Sequence, residues 1–231
     1  MILRKAIQKV VLFTLTVVGT LGGVTYYFND HQNFKYFILS IAPGLLIYYV
    51  VFRKVNNLRI SLNIILGLSL LFISDVVQTN FFKLNINSTQ LYQIFLMLIV
   101  QFFYILEYRK EGSRVIQQHK YDILKIVLPA ILVFFLTGFI FLDQNNPVFY
   151  ILMFFTALEV FLMIILSLFR PVGNYSFYVG FFGVSLMFFS DLLYVFYYFK
   201  APIEYLFNIS ILLYFVSQIL IIEGFTTSSK S

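Results

Sequence analysis

The chain has 231 residues, 61% of them hydrophobic and 11% charged, with a mean hydropathy of +0.90. Soluble domains carry about 25% charged residues, so the composition reads as an integral membrane protein with room for about eight spans of roughly 20 residues and no added soluble domain. The absence of cysteine excludes disulfides, thiolate nucleophiles and cysteine-held metals, and the net charge of +6 lies between the spans, where it sets topology and is no nucleic-acid footprint.

Met1–Lys9 is a short basic start, and a first span is predicted at about Val10–Tyr27, with Thr16, Gly19, Thr20, Gly22 and Gly23 as small packing residues. No A-x-A-like site follows a short apolar core, so the stretch reads as a span and not as a cleaved signal. The second span, Lys35–Phe52, contains Pro43-Gly44, where a kink is expected. Arg53, Lys54 and Arg59 precede the third span, Ile60–Gln78, and a polar loop leads to the fourth, Gln90–Glu107. The longest hydrophilic stretch, Tyr108–Lys120, comes next. The remaining predicted spans are Asp122–Leu142, Pro147–Phe169, Tyr175–Phe199 and Ile203–Phe225.

Counted on alternate sides of these spans, thirteen Lys and Arg residues fall on the side of the N-terminus and three, Lys35, Lys83 and Lys200, on the other. That imbalance places both termini in the cytoplasm, in what is expected to be a bacterial cytoplasmic (inner) membrane. The fold class is therefore all-α, a polytopic bundle of eight transmembrane helices forming one membrane domain over residues 1–231.

Gly67-x-Ser69-Leu70-x-Phe72-x-Ser74-Asp75 in the third span matches Gly183-x-Ser185-Leu186-x-Phe188-x-Ser190-Asp191 in the seventh, 116 residues later. Gln101 and Glu107 in the fourth span correspond to Gln218 and Glu223 in the eighth. These matches predict a 4+4 parallel internal repeat, with halves near residues 1–115 and 116–231 and an axis along the membrane normal.

An ionisable group inside a span costs at least about 2.5–3.5 kcal/mol near the bilayer centre, so it marks a candidate site. With this topology, Asp75 and Asp191 lie roughly 6–12 Å below the outer boundary, and Glu159 and Gln101 roughly 17 Å. The four are expected to line one cavity. The eighth span adds a stripe, Ser210, Tyr214, Ser217 and Gln218, at i, i+4, i+7 and i+8, and the fourth adds Gln101, Tyr104 and Tyr108. Hydroxyls in such rows also serve as interhelical glue. Glu107 and Glu223, at the cytoplasmic ends, read as interfacial. His31 and His119 fall in predicted loops, so no metal site and no cofactor is expected.

The Ser-Asp motifs of the third and seventh spans, Tyr214-x-x-x-Gln218 in the eighth and Lys35 opening the second form a combination that resembles the YhhN family. Its characterised members are lysoplasmalogenases. The resemblance implies that Asp75 and Asp191 are a catalytic pair; beside them, the reading of the spans expects Gln101, Tyr214 and Gln218 to orient the pair, Lys35 to meet the lipid phosphate and Glu159 to bind substrate in the same cavity. The resemblance also implies a lysophospholipid with an alkenyl ether as the lipid substrate. Two positions depart from the family pattern: Tyr36 follows Lys35 in place of proline, and Gln101 stands where a histidine is usual.

Hydrolysis of a vinyl ether needs a proton on the β-carbon, which creates an oxocarbenium ion that water attacks. A carboxylic acid out of water favours its neutral form, the form a general acid needs. A second carboxylate can stabilise the cation and orient the water, as in glycosidases. Asp191, the deeper residue, is the expected proton donor and Asp75 its partner. Two readings stand beside this one: a small-solute or proton-coupled transporter, in which intramembrane carboxylates between repeats also occur, and a non-catalytic protein with a decayed site.

Overall fold

The computed structural model describes Val11, Thr14 and residues 31–79, 86–115, 120–141 and 147–228. All the elements among these residues are helical: α1 (His31–Val55), α2 (Leu62–Gln78), α3 (Ile86–Lys110), a 3-10 turn (Lys120–Ile123), α4 (Leu124–Phe141), α5 (Pro147–Leu168), α6 (Asn174–Phe199) and α7 (Glu204–Thr227). They are the second to eighth predicted spans, with ends within four residues of expectation. The first predicted span lies outside the described residues apart from Val11 and Thr14, as do Lys83 and His119.

Six of the helices are long and apolar enough to cross a membrane. The seventh, α2, has 17 residues and spans about 26 Å, a little less than the ~30 Å hydrocarbon core. This is the architecture of an integral membrane protein, in which each helix satisfies its own backbone where no water can. The lipid-facing surface follows: Ile47, Leu128, Ile131 and Phe135 are each more than 60% exposed. α1 runs unbroken through Pro43 and Gly44.

Two turns have a visible sequence cause. After α1, Leu58 N donates to Arg53 O and Asn57 N to Lys54 O, with Asn57 at φ 54°. After α3, Ser113 N donates to Tyr108 O and Gly112 N to Arg109 O, with Gly112 at φ 98°. Both are Schellman ends, which need a left-handed residue and therefore select Asn or Gly.

α6 and α7 form the most extensive helix pair, followed by α2 with α3; α3 also packs on α5, and α1 on both α2 and α7. Glycine sets the closest approaches. A Cβ on Gly183 would lie 2.7 Å from Ile221 N on α7, and one on Gly67 would lie 3.1 Å from Tyr104 Cε1 on α3.

The end of the bundle that carries Arg53 and Arg170 is closed by buried polar groups. Arg53 donates to Arg59 O, Phe225 O and the backbone and hydroxyl of Ser228. Arg170 donates to Glu111 (2.5 Å), Ser176 O and Gly224 O and lies over the Tyr108 and Phe225 rings. Ser228 Oγ donates to Glu111, which joins the two arginine clusters. Glu107 and Glu223, expected at the interface, are instead 4% and 2% exposed. Ser61 and Asn63 donate to Glu107, and Tyr48 and Tyr175 to Glu223. Hydroxyls and an amide from neighbouring helices thus replace the water that an interfacial carboxylate would have.

Candidate functional site

α2 and α6 each bring a Ser-Asp pair, Ser74-Asp75 and Ser190-Asp191, to the wall of one cavity of about 70 Å3. In each helix the glycine that touches the partner helix lies eight residues before the aspartate, about 12 Å along the axis. The close contact therefore sits at one level and the carboxyl group at another, where the cavity lies. Helices α1, α2, α3, α5, α6 and α7 all contribute to the lining, which is apolar at Ile38, Met97, Met153, Val195, Ile211 and Phe215.

Among the described residues each aspartate has one donor. Gln101 Nε2 donates to Asp191 Oδ2 at 3.2 Å, and Tyr214 OH donates to Asp75 Oδ1 at 2.9 Å. Both bonds cross between helices, α3 to α6 and α7 to α2, so the site is tied into the packing of four elements. Asp75 is 1% exposed and its Oδ2 has no hydrogen-bond partner among the described residues; the same holds for Gln101 Oε1 and Gln218 Nε2. Buried polar groups are nearly always satisfied, so unpaired atoms around one cavity mark it as a place for a polar ligand group or water. Among the described residues no Lys or Arg lines the cavity. Among the described residues no three His, Asp or Glu side chains converge as a metal site.

Of the seven residues singled out from the sequence, four line this cavity: Asp75, Gln101, Asp191 and Tyr214. Gln218 is fully buried beside it, where its Oε1 accepts a hydrogen bond from Tyr104 OH at 3.0 Å. Lys35 is exposed at the start of α1 and lies outside the lining, one turn before Ile38, which is part of it. Glu159 is not in the lining either. It is half-buried on α5, three residues beyond Thr156, and its Oε2 has no hydrogen-bond partner among the described residues. The four intramembrane polar residues expected in one cavity therefore reduce to three.

The sequence reading did not single out Gln78, Gln93, Thr156 and Tyr194, all of which line the cavity. Tyr194 OH donates to Gln93 Oε1 at 2.7 Å, which forms a second α6–α3 bridge beyond Asp191. A signal was available, because Gln93, Met97 and Gln101 recur every four residues on one face of α3. Following the row from Gln101 through Tyr104 to Tyr108 leads away from the cavity, toward the arginine-rich end.

No protein-family profile, curated protein or solved structure matches the chain.

Proposed function

We propose that the protein is a membrane-embedded hydrolase of the YhhN type that cleaves the alkenyl ether of lysoplasmalogens to a fatty aldehyde and a glycerophospho-alcohol. One observation supports this reading above the others. Asp75 and Asp191, which belong to matching motifs 116 residues apart, face a single largely apolar cavity, and each is positioned by a donor from another helix.

In this reading one carboxyl delivers its proton to the β-carbon of the vinyl ether and the other faces the oxocarbenium carbon. Asp191 is the proton donor: Gln101 occupies its Oδ2, which leaves Oδ1 for the substrate. Asp75 is the partner: Tyr214 occupies its Oδ1, and the free Oδ2 accepts a proton from the attacking water. The hemiacetal then collapses, its hydroxyl proton leaves, the C–O bond to the glycerol breaks and the alcohol takes up a proton. Gln101 Oε1 and Gln218 Nε2 are an acceptor and a donor available for orienting the water. Lys35, at the outer end of α1, meets the lipid phosphate. Glu159 stands outside this chemistry.

The same reading takes the chain as eight spans in two parallel four-span halves, with both termini on the cytoplasmic side of a bacterial membrane. Several pairings support the repeat. Gly67 faces Phe103 and Tyr104, and Gly183 faces Leu220 and Ile221, which are the same positions 117 residues on. Arg53 and Arg170 have the same separation, and so do their partners Glu111 and Ser228. Those partners bond to each other, and the Tyr108 and Phe225 rings, also 117 apart, pack with centroids 4.7 Å apart. Equivalent residues that touch lie on a two-fold axis.

The test is aldehyde release from a lysoplasmalogen by the purified protein in detergent, with an ester-linked lysophospholipid as control. Aldehyde from the alkenyl ether and no hydrolysis of the ester is the expected result. No aldehyde from folded protein would overturn the hydrolase reading and favour a carrier.

A further inference from the structure

A second, narrow space of about 30 Å3 shares Met153, Thr156, Asp191 and Val195 as wall residues with the carboxylate cavity and lies between α4, α5 and α6, reaching Phe188. On the other side of Phe188 begins a groove of about 420 Å3 between the same three helices, which runs to Leu124 and Lys125 at the start of α4. Phe188, 4% exposed, lies at the junction of the two spaces. Along α6 the route passes Asp191, Phe188, Ser185 and Phe181, at intervals of three and four residues, which is one face of the helix.

The walls beyond Asp191 have almost nothing to offer a polar ligand. Ser185 Oγ donates to Phe181 O in its own helix, and Lys125 Nζ at the far end is held by Asp122 Oδ1 at 2.9 Å. From Asp191 to Phe181 the route covers ten residues of α6, about 15 Å. That is half the thickness of the ~30 Å bilayer core. A polar chamber joined to an apolar trough of this length has the shape of a single-chain amphiphile.

We propose that this trough is the hydrocarbon subsite of the carboxylate cavity. The chain of a single-chain phospholipid enters sideways between α4, α5 and α6, with its polar end at Asp191 and its methyl end toward Lys125. The proposal rests on the reading of the cavity as a lipid site and adds which helices admit the lipid and which way it lies. A chain reversed in the trough would place its ether about 15 Å from the aspartates, beyond reach of the proton.

The protein has no tryptophan, so single reporters can be placed in a silent background. Thr137→Trp sits between Asp191 and Phe188, Leu132→Trp lies beyond Phe188, and Phe135→Trp, at a position 70% exposed on the same helix, is the bulk-lipid control. The probe is an ester-linked lysophosphatidylethanolamine, brominated near the head or near the chain end, in nanodiscs of unbrominated phosphatidylcholine. Quenching at positions 137 and 132 is expected to saturate at a few mole per cent, while quenching at 135 rises linearly. Head-proximal bromine should act more strongly at 137 and chain-end bromine at 132. Linear quenching at all three positions, or the reverse order of the two bromines, would overturn the proposal. Binding is read without turnover, so saturable quenching beside a failed aldehyde assay would uphold the subsite and sink only the hydrolase.

Discussion

Gln101 and Tyr214 each hold one aspartate through a single hydrogen bond, which makes them the sharpest positions at which to perturb the site without touching a carboxyl group. Tyr214→Phe removes one O–H and nothing else. A hydrogen bond is worth about 1–1.5 kcal/mol net, so kcat/KM for aldehyde release should fall about tenfold in a protein that melts normally. Gln101→Leu leaves Asp191 free to turn away from the substrate, and misplacement of this kind costs about 100-fold. Gln101→His restores an N–H donor and should stay within about tenfold of wild type, read as aldehyde release in the same assay. Protonation at carbon also leaves a mark: hydrolysis in D2O should give aldehyde with one deuterium next to the carbonyl, measured by mass spectrometry, and aldehyde without it would exclude protonation at the β-carbon. The aspartates were legible in the sequence because a carboxyl group in an apolar span is costly and rarely sits there without a role. Thr156 was not, because a span threonine that donates to its own helix, here to Leu152 O at 3.0 Å, looks the same in sequence wherever it faces.

At the scale of elements, the helix limits could be read from apolar length, and the ends of α1 and α3 from Asn57 and Gly112. The closures between helices could not. Glu107 and Glu223 look interfacial in sequence because each lies near a span end, and only packing reveals the Ser61, Asn63, Tyr48 and Tyr175 donors that bury them. Glycine positions separate by what a methyl group would meet. Gly183→Ala places it 2.7 Å from the backbone N of Ile221, and overpacking of this kind costs about 1–3 kcal/mol, so the detergent melting temperature should drop by several degrees. Gly67→Ala meets the edge of the Tyr104 ring at 3.1 Å, which can yield, and should cost less. Gly138→Ala, with nothing within 4 Å, is the neutral control. Arg170→Ala should destabilise by about 3–5 kcal/mol, because it leaves the Glu111 carboxylate without its cation, with only the Ser228 hydroxyl among the described residues donating to it; a melt within a degree of wild type would contradict the lock it forms.

For the molecule as a whole, the cation imbalance and the 117-residue spacing make a topology that a cysteine-free chain allows to be tested directly. Lys54→Cys and Arg114→Cys should label only from the cytoplasmic face, and Lys35→Cys and Pro202→Cys only from the opposite face. Labelling of all four from one side would break the eight-span, two-half account. Part of the match on which the proposed repeat rests was legible in the sequence, in the Ser-Asp motifs and the Gln101/Gln218 pair. The correspondence of Arg53 with Arg170 was not, because two arginines in basic loops look unremarkable until their shared separation is set beside the Glu111–Ser228 contact. The central claim is that two carboxyl groups, brought from two matching halves to one cavity, do the chemistry together. The measurement that tests it most directly is aldehyde release from a lysoplasmalogen by wild type, Asp75→Asn and Asp191→Asn, each matched for melting temperature. The account predicts aldehyde from wild type alone, with both variants at least about 100-fold slower, the low end of what removal of a catalytic acid or base costs. Turnover at the wild-type rate by either folded variant would contradict it.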